Sequence, residues 1–176
     1  QLGLDNNIKI GLDTEGGQIR TKLKGVKSIA LKKGSNFRIY NNFEANDVSQ
    51  RISFYPENTI DKLEKDYLIR LDFNGASALI TAKYSSYIEC ECLSSGIVGN
   101  NKGVDILNKK IDLPDFTNKD LECLRELDSL GIKEVFISFC KSKEAVLKLK
   151  GMSNKIKVTS KIESKASIHN LHSICE

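Results

Sequence analysis

The sequence predicts a mixed architecture, α/β plus all-β: a small β-barrel or sandwich set between segments of alternating strand and helix. Three observations predict it. A brief apolar run at residues 8–12 ends on Asp13-Thr14 and is cut by Gly16-Gly17. From about Thr21 to about Lys102, strand-length runs recur between clusters of Gly, Asn and Ser. From about Gly103 the rhythm changes, and the boundary is expected there.

The first element is a strand over residues 8–13 that feeds a polar loop. In the second region, strands are expected near residues 29–31, 37–40, 51–54, 67–71, 78–83 and 87–92, with a short helix or turn at 57–65. In the third, Thr117 stands three residues before Asp120, the pattern of a helix N-cap with an acidic partner. Leu121, Leu124, Leu127 and Leu130 share one face of that helix, and Gly131 ends it. Residues 135–139 read as a strand buried on both faces, 144–150 as a second helix, 156–160 as a strand, and 168–174 as the start of a third helix. Strands alternating with helices imply a parallel sheet.

Composition narrows the function. With 176 residues, 40% of them hydrophobic and 28% charged, the chain is expected to fold rather than remain disordered. No apolar run approaches twenty residues, so no membrane-spanning helix is expected. No secretion signal opens the chain, which begins on Gln1 and reads as a piece of a longer protein. The net charge of +4 comes from scattered lysines, a weak basis for nucleic-acid binding. Five cysteines without a C-x-x-C pair argue against zinc and a disulfide framework, and for reduced thiols in a cytoplasmic protein.

The residues that could carry chemistry gather at strand ends. Lys161 and Glu163 follow the last strand two apart, so an extended chain points both to one side. They would sit at the C-terminal mouth of a parallel sheet, where ligands bind. Lysine offers a point charge to a phosphoryl oxygen or an enolate, and glutamate a hard oxygen to Mg²⁺. The plainer alternative is a surface ion pair. Asp13-Thr14 ends the first strand at the equivalent edge, where Asp13 could bind a cation or serve as a cap. Arg20, beyond the glycines, could clamp a phosphate. Asp72 and Asn74-Gly75 read first as a hairpin turn. His169 and His172 read as a solvated helix face, and Cys90 and Cys92 as an exposed side-by-side pair on one strand.

Taken together these motifs resemble pyruvate kinase. The family carries a strand ending in a string close to DTKGPEIRT, and residues 13–21 read DTEGGQIRT. A re-entry string like KGVNLPG followed by DLPxxxxKD corresponds to Lys102-Gly103-Val104-Asp105, Asp112-Leu113-Pro114 and Lys119-Asp120. VFxSFxR corresponds to residues 135–141, and KxxxKIEN to residues 157–164.

The resemblance implies a partial (β/α)₈ barrel over residues 1–22 and 103–176, holding strands three, four and five, with an inserted β-barrel lid over 23–102. It implies phosphoryl transfer between phosphoenolpyruvate and ADP, giving pyruvate and ATP. Lys161 would stabilise the transferring phosphoryl and the enolate, and Glu163 would bind Mg²⁺ or Mn²⁺. Asp13 and the Thr14 carbonyl would hold K⁺. Arg20 would contact nucleotide or substrate phosphate, and Asp72 the nucleotide from the lid. The parent would be a cytoplasmic homo-oligomer, a tetramer in the family, with no nucleic-acid or membrane partner.

Several positions depart from the pattern. Glu15 replaces Lys, Gly17 replaces Pro and Gln18 replaces Glu, the last at a position that correlates with K⁺ use. Lys141 stands for Arg, and Ser164 for Asn. These departures motivate a second reading, a non-catalytic homologue that binds a nucleotide, a phosphate or a protein partner. A third, independent of the resemblance, is a β-barrel binding module joined to a βα unit. The 176-residue chain alone is expected to be inactive, because too few ligands are present.

Overall fold

The computed structural model describes residues 9–43, 51–72, 75–153 and 155–176. The chain forms two compact units, residues 1–17 with 113–176, and residues 18–112. In chain order, β1 (Gly11–Asp13) belongs to the first unit. The second contains β2 (Ile19–Lys24), β3 (Ser28–Leu31), β4 (Asn36–Tyr40), β5 (Arg51–Tyr55), a 3₁₀ turn (Thr59–Lys62), β6 (Leu68–Leu71), β7 (Ala76–Lys83), β8 (Tyr87–Ser94), β9 (Gly96–Gly99) and β10 (Gly103–Ile106). The first unit resumes with α1 (Asn118–Arg125), β11 (Glu134–Ile137), α2 (Lys143–Met152), β12 (Lys157–Ser160), α3 (Lys165–His169) and α4 (Leu171–Cys175).

The second unit is a closed seven-stranded barrel in the order β10-β2-β5-β4-β8-β7-β6. Its neighbours are antiparallel except β4 and β5. β3 and β9 pair separately as an antiparallel ribbon. Period-two alternation fills the barrel: Ile69 and Leu71 on β6, Ala76, Ala78 and Ile80 on β7, and Ile88, Cys90 and Cys92 on β8 are wholly buried. Cys90 and Cys92 therefore face the interior, not solvent as expected, because they share the inward parity of Ile88. Burial, with the neighbouring Glu89 carboxylate as a lesser cause, pushes the Cys90 thiol up to about 12.

The units divide at residues 17/18 and 112/113, where sequence reading placed the boundaries at 22/23 and 102/103. The difference has a ladder behind it: β2 and β10 pair with each other, β2 also pairs with β5, and β10 with β6. The segment read as a re-entry thus supplies a barrel strand. β2, β9 and β10 are the strands that sequence reading passed over.

The first unit is a three-stranded parallel sheet in the order β1-β11-β12, with helices packed on a core of Leu124, Leu127, Val135, Ile137, Ala145 and Leu149. β11, between two strands, buries Val135 and Ile137 completely. β1 starts at Gly11 rather than at residue 8, which lies outside the described residues, as does Asn74 of the expected turn. α1 stops at Arg125, well short of Gly131. Its buried face runs out at Leu127, and Leu130 is 66% exposed, so further helix would have no core to cover. The expected third helix is two short ones broken at Asn170, whose side-chain amide donates to the Lys141 carbonyl at 2.8 Å.

Candidate functional site

All three strands of the parallel sheet run the same way, so their C-terminal ends share one edge. Asp13 closes β1, and Lys161 and Glu163 follow β12 directly. At that edge the Lys161 ammonium lies 3.0 Å from Asp13 Oδ1 and 3.8 Å from Glu163 Oε1. Three side chains that the sequence singled out are therefore gathered, two of them 148 residues apart. An ion pair on an open surface contributes about 0–1 kcal/mol, so the grouping adds little to stability.

The residues just past β11 fix the acceptors. The Ser138 hydroxyl donates to Asp13 Oδ1 at 2.9 Å, and the Ser138 amide donates to Thr14 Oγ1 at 3.0 Å. Thr14 is buried, and its own amide donates to the Phe136 carbonyl. The Phe139 amide donates to Glu163 Oε2 at 3.0 Å.

The loop after β1 is held by α1. The Asp120 carboxylate is 4% exposed and accepts from the amides of Glu15 (2.7 Å), Gly16 (3.1 Å) and Thr117 (2.8 Å). Thr117 Oγ1 accepts from the Asp120 amide, which completes a capping box. Gly16 has φ +68°, and a Cβ there would collide with the Ser138 carbonyl. Glu15, where the resembled string has lysine, pairs with Lys119 at 2.7 Å. Lys141 donates to the Leu113 carbonyl and lies 3.7 Å from Asp115 Oδ1.

Arg20 and Asp72 belong to the barrel unit. Arg20 Nη1 donates to the Asn101 carbonyl at 3.3 Å, and the Asp72 amide to the Gly103 carbonyl at 2.9 Å. The Asp72 carboxylate stands 3.8 Å from Lys102 Nζ, and its backbone takes φ +66° between β6 and β7, in keeping with a hairpin turn. Both residues thus border the 101–103 segment. His172 is on an exposed face beside Glu176.

Comparison with known proteins decides the family. A family model described as pyruvate kinase, barrel domain, matches residues 3–176. The chain belongs to the pyruvate kinase family. It is 28% identical to a pyruvate kinase of Clostridium acetobutylicum, over 98% of this chain and 38% of that protein. It is 28% identical to one of Staphylococcus saprophyticus and 30% identical to one of Staphylococcus aureus, over 98% of this chain and 30% of each protein. The chain thus spans about a third of the length of these pyruvate kinases.

Sequence reading missed Ser138, Phe139 and the loop-holding role of Asp120. Thr117 and Asp120 stood out only as a cap. Ser138 and Phe139 were read as strand, and an aromatic residue carries no signal for a left-handed backbone.

Proposed function

We propose that the Lys161, Asp13 and Glu163 cluster is the phosphoryl-transfer site of a pyruvate kinase-type enzyme, and that its unit is the part of a (β/α)₈ barrel carrying strands three, four and five. The single observation that carries this is the meeting of one ammonium with two carboxylates at the C-terminal edge of a parallel sheet.

Lys161 sits where a phosphoryl oxygen and the enolate oxygen would both find a cation. The phosphoryl passes from phosphoenolpyruvate to ADP, the C–O–P bridge opens at phosphorus, and the enolate left behind takes a proton at carbon to become pyruvate. Positioning and charge supply most of such a rate.

The donor set suits the family's ions. Mg²⁺ is usually held by one or two carboxylates with substrate phosphates and water, and Glu163 and Asp13 are two carboxylates at one sheet edge. Glu163 would hold Mg²⁺ or Mn²⁺, and Asp13 with the Thr14 carbonyl would hold K⁺. The divalent ion, when bound, neutralises charge on the transferring phosphoryl. Arg20 would contact nucleotide or substrate phosphate, and Asp72 would belong to the lid face that closes over the nucleotide. The parent protein is proposed to be a cytoplasmic homo-oligomer, and five free cysteines suit a reducing compartment.

The test is Lys161→Met in the full-length protein. Pyruvate formation is expected to fall about 10³-fold with the circular dichroism spectrum unchanged. Retained turnover would overturn the assignment. The non-catalytic reading is favoured by one observation, the engagement of Glu15 by Lys119 where the family has a cation. Nucleotide protection without any pyruvate formation by the wild-type protein would decide for it.

A further inference from the structure

β11 ends at Ile137, and the next three residues bond to both neighbouring strands' extensions. Ser138 turns to the β1 side, donating to Thr14 and Asp13. Phe139 and Cys140 both turn to the β12 side: the Phe139 amide donates to Glu163 Oε2 at 3.0 Å, and the Cys140 amide to the Lys161 carbonyl at 3.3 Å. Successive amides of an extended strand point to opposite sides. Two in a row can face one side only where the chain leaves the extended form, and it does so at Phe139, with φ +51°. Left-handed backbone is rare for a bulky residue, and such conformations persist where the surrounding structure holds them.

We propose that Phe139 is a positioning residue for the metal ligand Glu163. Strand alternation turns the Phe139 amide N–H to the β12 side, and the left-handed turn that follows it, pinned by the Cys140 amide on the Lys161 carbonyl, holds that N–H on one carboxylate oxygen, which leaves the other, beside Lys161, to face a divalent cation. Lost rotational freedom of the carboxylate would otherwise have to be recovered from metal binding itself. The inference rests on the reading of Glu163 as a ligand.

The test measures Mn²⁺ affinity of the full-length protein by electron paramagnetic resonance, alongside its thermal midpoint. Three forms are compared with the parent: a backbone ester at residue 139, which removes only the N–H, Phe139→Gly and Glu163→Gln. The ester is expected to weaken Mn²⁺ binding about 10-fold, and Glu163→Gln by more. Phe139→Gly keeps the N–H and adopts the same φ freely, so its affinity is expected to stay within about threefold of the parent. Rescue by glycine separates the amide's role from that of the aromatic side chain, and the thermal midpoint shows whether each form folds. Weakening by Glu163→Gln with no change in the ester overturns the inference and leaves the ligand reading standing. Equal weakening in Phe139→Gly and the ester also overturns it, since the side chain would then be responsible. No effect of Glu163→Gln overturns both.

Discussion

The barrel and the parallel-sheet unit solve the problem of unpaired strand edges differently. The barrel closes on itself, and each of its seven strands has two ladder partners. Its core is built from apolar side chains such as Ile19, Ile80 and Val104, and its buried polar residues, Gln18, Thr21, Ser53 and Thr59, are all uncharged. In the other unit only β11 is paired on both sides among the described residues, and β1 and β12 each have one partner. Apolar side chains such as Leu147, Ile168 and Leu171 remain exposed there. Its charged edge is held by buried polar groups: Thr14, Thr117, Asp120 and Ser138. The closed ring buries only neutral polar groups, whereas the edge that presents charges is fixed by a buried carboxylate, Asp120, which is costly to disturb.

The largest effect is expected where a polar fixing is removed. Asp120→Ala strands three backbone donors at Glu15, Gly16 and Thr117, and is expected to cost about 4 kcal/mol by urea unfolding, with faster amide exchange in β1. Ile80→Ala in the barrel is expected to cost about 3 kcal/mol, seen as faster exchange in β6, β7 and β8. Were Ile80→Ala clearly the more damaging, the contrast between the units would fail. Gly16→Ala, which imposes both a positive φ and a collision with the Ser138 carbonyl, is expected to cost about 2 kcal/mol, and Gly34→Ala, with positive φ but open space, about 1 kcal/mol.

A fourth prediction sharpens the barrel side. Burial pushes the Cys90 thiol up to about 12 in the folded barrel from an ordinary value of 9.0. The folded value is the higher one, so stability is intact below the unfolded value and is lost as pH rises from there toward the folded value. At about pH 10 the loss is expected to be about 1 kcal/mol relative to Cys90→Ala, read as the difference between their urea midpoints. Parallel pH curves for the two proteins would show that the thiol is not shielded.

Much of this was legible in the sequence, for identifiable reasons. Strands β4 to β8 announce themselves by alternation, because one face of each lines the barrel. β9 and β10 are four residues each and begin or end on glycine, which removes the alternation signal. Lys161 and Glu163 were visible because a two-residue spacing fixes their side, and the meeting with Asp13 follows from parallel strands of similar register. Ser138 and Phe139 were not visible, because the direction of a backbone amide leaves no mark on residue type. Asp120 showed its cap but not its second task, since contacts across 104 and 105 residues have no local pattern.

The barrel's first and last strands, β2 and β10, are laddered side by side through Ile19 and Val104. At that pairing the chain's first and last passes through the ring are about 5 Å apart, the spacing of adjacent strands. A ring whose first and last strands seal its seam is self-contained: its ladder is complete without a strand borrowed from elsewhere in the chain.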